Sequence, residues 1–268
     1  TDYSEEEIEL EYSAELELFW GEGTAIDSHY VSFFNAIKSL RNGKNIGSAL
    51  KLKVAPEALA HITKRYTDWK DKANNSQLAP HELAIWQELQ NYIDVLLILT
   101  RQYAAVVANP PYMGQKSMNG ELKDYVNTQY PFTKSDLCTV FIEVLPHYTI
   151  KKGKYGFIVP PSWMFLSSFE RLRENVLTNQ TVDSLLHLSR GVFGADFGSM
   201  CTVITNFTLT DESTGTYFRL VERTFQEFYQ GHLDELFLIA KNETSFKYDF
   251  KTYSKEEPNF KHSEKGLK

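Results

Sequence analysis

Residues 103–112 read Tyr-Ala-Ala-Val-Val-Ala-Asn-Pro-Pro-Tyr, and the fold class turns on them. Ala104 to Ala108 is a short, unbroken apolar run of the kind found in a strand covered on both faces. Asn109-Pro110-Pro111-Tyr112 ends it abruptly, because proline has no N–H for a ladder and Asn readily starts a turn. Downstream, the pattern repeats. Ser135-Asp136 reads as a helix start, and Leu137, Val140, Phe141, Val144 and Leu145 form the buried stripe of that helix. Lys151-Lys152-Gly153 closes it, and Tyr155 to Val159 is a second strand running into Pro160-Pro161-Ser162-Trp163. A helix over Ser168–Leu177 and a third strand over Val182–Leu188 follow. A glycine-rich bend, 191–198, then precedes strands at Met200–Leu209 and Tyr217–Val221. Strand–helix alternation of this kind predicts an α/β domain with a parallel sheet, and the last two strands read as antiparallel.

Upstream the chain reads as helical. Tyr30, Phe33, Phe34, Ile37 and Leu40 share helical spacing that stops near Asn42-Gly43. Pro56 opens a helix with Leu59, Ile62 and Tyr66 on one face, and Pro80 opens the longest one, which ends near Arg101. Ser48–Val54, ahead of Pro56, predicts a short strand. Three regions result: a mostly helical 1–102, an α/β 103–222, and a helical or irregular 223–268.

Composition removes several classes. With 42% hydrophobic and 14% aromatic residues, the 268-residue chain is not wholly disordered. Its longest near-apolar run, Val95–Leu99, is too short to cross a bilayer, so no membrane partner is expected. Cys138 and Cys201 are too few and too far apart for a disulfide framework or a zinc site, and read as reduced thiols in a cytoplasmic protein. His81-Glu82 lacks the second His of a helical zinc motif, so no metal is expected. A net charge of −7 argues against binding nucleic acid by bulk charge, while leaving room for a local basic groove.

Asn109-Pro110-Pro111-Tyr112 can be a rigid turn and nothing more. It can also be a pocket, since ligands of α/β sheets sit beyond the carboxyl ends of strands. The Asn109 side-chain oxygen and the Pro110 carbonyl could accept from one amino group, with the Tyr112 ring as a stacking face. Two acceptors and one platform suit a planar exocyclic amine such as N6 of adenine.

Around this tetrapeptide the sequence resembles the S-adenosylmethionine-dependent amino-group methyltransferases of DNA. Ala104 to Gly114, Ser135-Asp136-Leu137, Phe141-Ile142-Glu143 and Gly153 to Trp163 occur in family order, and the likeness covers about residues 103–209. With Asn45-Ile46-Gly47-Ser48 upstream, it looks most like the large adenine methyltransferases of BREX phage defence and the fused restriction–modification enzymes. The resemblance implies a partial Rossmann-like methyltransferase sheet and direct methyl transfer to an adenine extruded from duplex DNA. It places Asn109, Pro110, Pro111 and Tyr112 at the catalytic corner and Phe193 and Phe197 beside the base. Lys116 and Lys123, with Lys134 nearby, are candidates for DNA-backbone contact, and Trp163 for packing near the pocket wall.

The family's glycine-rich cofactor loop is not identifiable. Gly21-Glu22-Gly23-Thr24 follows no convincing strand and reads as an ordinary loop, so the cofactor-binding residues stay unassigned. With Thr1 rather than Met at its start, the chain is expected to be an excised target-binding half that neither binds S-adenosylmethionine nor methylates alone. Its Ala104–Ala108 edge is expected to self-associate or to be covered by Ser48–Val54. A protein-glutamine N5-methyltransferase and a non-catalytic interaction fragment are the competing readings; the helical region and the Phe-rich bend favour DNA.

Overall fold

The computed structural model describes residues 14–21, 27–41, 43–188, 198–208, 215–220, 238 and 247–248. The chain divides into two units, Thr1–Arg101 and Gln102–Lys268.

The first unit is built from helices α1 (14–20), α2 (Ser28–Arg41), the single turn α3 (Gly43–Ile46), α4 (Pro56–Asn74) and α5 (Pro80–Leu99). Proline at the first turn starts both α4 and α5, where its missing N–H costs nothing and its fixed φ suits the helix. Aromatic rings fill the centre: Phe19 meets Trp69 edge-on with centroids 5.4 Å apart, and Trp20 stacks on Phe33 at 5.6 Å. Arg65 Nε donates to the Phe19 carbonyl at 2.7 Å, and His61 Nε2 lies 2.7 Å from that of Trp20. Together they satisfy the open carbonyl end of α1.

Ser48–Val54 is not a strand. A 3-10 turn, Gly47–Ala49, leads into irregular extended chain. The polar groups there find a side chain instead of a ladder: Ser32 Oγ accepts from Ala55 N at 3.1 Å and donates to the Lys53 carbonyl at 3.4 Å. Among the described residues no helix is long and apolar enough to cross a membrane.

The second unit holds a mixed sheet with helices α6 (Gly120–Gln129), α7 (Leu137–Tyr148) and α8 (Glu170–Asn179). Its strands are β1 (Tyr103–Ala108), β2 (Thr149–Val159), β3 (Thr181–Leu188), β4 (Met200–Thr205), β5 (Gly215–Leu220) and the two-residue β6 (Lys247–Tyr248). They lie in the order β1-β2-β4-β3-β5-β6. β1 is parallel to β2 and β3 to β5, while β4 runs antiparallel to both β2 and β3.

The α/β class is as expected, but the place of the antiparallel strand is not. β4 and β5 run in opposite directions without pairing, because β4 lies between β2 and β3. A return after β3 needs no crossover helix if the next strand runs antiparallel. Once inserted, β4 buries Met200, Thr202 and Ile204 almost completely.

β1 also differs from expectation. Only Val106 and Ala108 pack against the core, whereas Val107 is 84% exposed and Tyr103 39%. The strand ends the sheet, so β2 is its one ladder partner among the described residues, and α7 packs on it. Its apolar composition thus belongs to an edge.

β2 begins at Thr149, earlier than the apolar run indicated, because Ile150 to Gly153 form an irregularity in the ladder: Tyr103 faces Thr149 while Ala105 already faces Lys154. Lys152 sits there at φ 67°, in the left-handed region. A β-carbon on Gly153 would lie 2.9 Å from the Ala104 carbonyl oxygen. Gly153→Ala is therefore expected to destabilise the protein by about 1–3 kcal/mol, as overpacking does. Urea denaturation of the variant against the parent checks this.

Candidate functional site

β1 and β2 run parallel with Ala108 opposite Phe157, so both deliver their next residues to the same end of the sheet. From β1 come Asn109, exposed, Pro110, buried, and Pro111, exposed. Tyr112 is 38% exposed and its hydroxyl donates to the Ile158 carbonyl of β2 at 3.3 Å. Burial pushes the Tyr112 phenol up, the thiols of Cys138 and Cys201 push the same way, and a hydrogen bond with Ser199 pulls it back. Tyr112 is thus a neutral ring fixed where β2, β4 and the start of α7 converge.

Behind the tetrapeptide stands Asp136. Its Oδ1 accepts from Cys138 N at 3.0 Å, capping α7, and from Met113 N at 3.3 Å. Leu137 N donates back to the Met113 carbonyl at 2.9 Å, and Gln115 N to the Ser135 carbonyl at 3.0 Å. Thr133, fully buried, bonds Glu143 on α7 and fixes the approach to this cap. The corner is held from behind and open in front.

Lys116 lies in a 3-10 turn, Gln115–Ser117, and Lys123 in α6, whose N-terminus Asn119 caps through Leu122 N at 2.9 Å. Both lysines, and Lys134, are exposed. Trp163 is fully buried, with its ring 5.9 Å from that of Phe157, in keeping with packing. Phe193 and Phe197 lie outside the described residues, although β3 and β4, which flank them, meet at this end of the sheet.

Asp136 could be read from sequence as a cap, but its hold on Met113, 23 residues earlier, has no local signal. Arg173 was missed altogether. It is fully buried, and helical spacing from Leu172, Val176 and Leu177 would have placed it on the inner face.

Neither described exit is a glycine-rich loop. β1 and β2 each run into a Pro-Pro pair, which has no N–H to cradle a ligand. Gly21 has φ 124° but follows a helix, not a strand, and Gly23 lies outside the described residues. Among the described residues no group of three or more His, Cys, Asp or Glu is placed to hold a metal ion.

Residues 23–193, more than half of the sequence, match the family described as Eco57I restriction-modification methylase. The chain belongs to that family. Two curated relatives carry the likeness across most of this methylase-family chain. Adenine-specific methyltransferase BrxX of Escherichia coli O9:H4 (strain HS) is 33% identical over 211 residues, 75% of this chain and 17% of the relative. Adenine-specific methyltransferase PglX of Lacticaseibacillus casei (strain Zhang) is 32% identical over 246 residues, 90% of this chain and 20% of the relative. The chain thus spans about a fifth of the length of these relatives. Among solved structures, a type I restriction-modification methyltransferase subunit from Streptococcus thermophilus matches 62% of this chain and 38% of its own at 12% identity, with a TM-score of 0.43.

Removing the Asp136 carboxylate frees both amides at once. Asp136→Ala is expected to cost about 0.5–2 kcal/mol through the lost cap. Hydrogen exchange should also quicken at Met113, with Asp136→Asn falling between the two, as measured by thermal unfolding and amide exchange.

Proposed function

We propose that this chain supplies the target-base side of a site that methylates N6 of adenine in DNA, with S-adenosylmethionine as methyl donor. The observation that carries the reading is the Asn109-Pro110-Pro111-Tyr112 corner at the end of β1, with Asn109 and Tyr112 exposed, in a member of a restriction–modification methylase family. The adenine-specific relatives support the choice of base.

In this reading the Asn109 side-chain oxygen and the Pro110 carbonyl accept the two N6 hydrogens of an adenine swung out of the duplex. Tyr112 offers its ring for stacking, which contributes about 1–3 kcal/mol per base. Holding the amine by both hydrogens aims its lone pair and stabilises the positive charge that develops on nitrogen. The cofactor supplies the methyl group. Lys116 and Lys123 contact the DNA backbone. Acting on DNA of a phage-defence or restriction–modification system, the protein works in the cytoplasm.

In the intact natural protein, Asn109→Ala is expected to abolish methyl transfer to adenine, a loss of at least about a hundredfold for one transition-state donor or acceptor, with its thermal unfolding unchanged. Transfer of labelled methyl groups to genomic DNA reads this directly, and normal turnover refutes the role. The outer edge of β1, which has no ladder partner among the described residues, supports self-association of the 268-residue chain through added strand pairing. Light scattering is expected to return a dimer or larger species, and Val107→Lys to return monomers.

A further inference from the structure

The segment after β2 leads away from the same end of the sheet as the tetrapeptide. It enters through Pro160 and the 3-10 turn Pro161–Met164, which buries Trp163 and Met164. The next two residues, Phe165 and Leu166, are each 45% exposed. Exposed apolar side chains on a loose loop need no explanation, but this loop is locked. Phe165 N and Leu166 N both donate to the Ser162 carbonyl, at 3.3 and 3.0 Å, and Phe169 N donates to that of Leu166 at 3.1 Å.

The lock is completed from below. Arg173 on α8 is fully buried, and its Nη1 donates to the carbonyls of Trp163 at 2.6 Å and Leu166 at 2.8 Å. Taking a guanidinium out of water is costly. This one brackets the exposed pair by gripping main chain on both sides of it.

The surroundings indicate what the pair meets. Ser167, Ser168, Glu170 and Arg171 beside it are exposed, and the Arg171 guanidinium sits 5.0 Å over the ring of Phe132, itself 44% exposed. A pair of apolar tips within a polar rim that carries one acid and one base is too small for a protein interface, and suits insertion into an apolar interior with a polar exterior. That is the composition of a DNA base stack, into which Phe and Leu side chains insert as wedges.

We propose that Phe165 and Leu166 form a wedge that enters the stack beside the extruded adenine, with Arg173 as the positioning residue that keeps it rigid. The inference rests on the DNA reading above and adds a second contact to it. Filling the gap left by the departed base offsets the lost stacking, so the wedge acts on extrusion and not on the methyl-transfer step.

The test uses the intact natural protein and two duplexes containing its methylation site, one fully paired and one with an abasic site opposite the target adenine. Phe165→Ser combined with Leu166→Ser is expected to raise KM for the paired duplex by about tenfold, the equivalent of one weakened stacking step. KM for the abasic duplex and kcat on it should stay within about twofold, because that adenine is already unpaired. Arg173→Lys, which keeps the charge but loses the planar fork, is expected to shift KM in the same direction. With 2-aminopurine at the target position, the wedge variants should show less extrusion fluorescence on the paired duplex. The exposed double variant keeps the test valid if Arg173 variants fail to fold. Wild-type methylation of DNA with equal KM for parent and double variant overturns the wedge and leaves the DNA reading standing. Equal losses on both duplexes overturn it too, since they mark a general contact. No methylation of adenine in DNA by the parent overturns both.

Discussion

A single carboxylate oxygen, Oδ1 of Asp136, joins the amide of Met113 to the amide of Cys138. One of those amides belongs to the loop that leaves β1, and the other to the first turn of α7. The prolines make the corner stiff in itself but donate nothing to a neighbour, so its hold on the fold comes from this join and from the backbone bonds Leu137 N to the Met113 carbonyl and Gln115 N to the Ser135 carbonyl. With these, and with the Tyr112 hydroxyl on the Ile158 carbonyl, the corner is tied to a helix on one side and to the second strand on the other. Its front is left to solvent. That division between a bonded back and an open face is what a binding corner needs, since groups placed before the ligand arrives lose little freedom when it does.

The same economy governs the rest of this end of the sheet. Two parallel strands leave through proline pairs, and each following loop is fixed through its main-chain carbonyls or amides by a charged side chain of a neighbouring helix: Asp136 for the first, Arg173 for the second. Main-chain anchoring leaves the loop side chains uncommitted. Asn109 is exposed, as are Phe165 and Leu166, the latter two on well-bonded backbone.

Much of this was legible in the sequence, for identifiable reasons. Helices α4 and α5 begin at prolines and carry apolar stripes of helical period, and both were placed within two residues. The strands from β1 to β5 were found because short apolar runs bounded by turn residues have few other interpretations. Ser48–Val54 misled because alternating residues resemble a strand wherever they occur, and only the position of Ser32 decides that its polar groups bond elsewhere. β1 looked doubly covered because Ala and Val say nothing about which edge of a sheet they occupy. The corner itself was visible as four letters, while the residues that hold it were not, because Asp136 and Ile158 reach it across long stretches of chain.

The central position of β4 bears on how the protein is made. Its neighbours β2 and β3 both leave the ribosome first, and each then offers a bare ladder toward a slot that only Met200–Thr205 can fill. The sheet therefore cannot be completed in the order of translation, and the last strand to emerge of these three is the keystone of the assembly. A nascent chain that stalls before Met200 leaves one edge of β2 and both edges of β3 unsatisfied, an interval in which strand pairing with other chains is open to it.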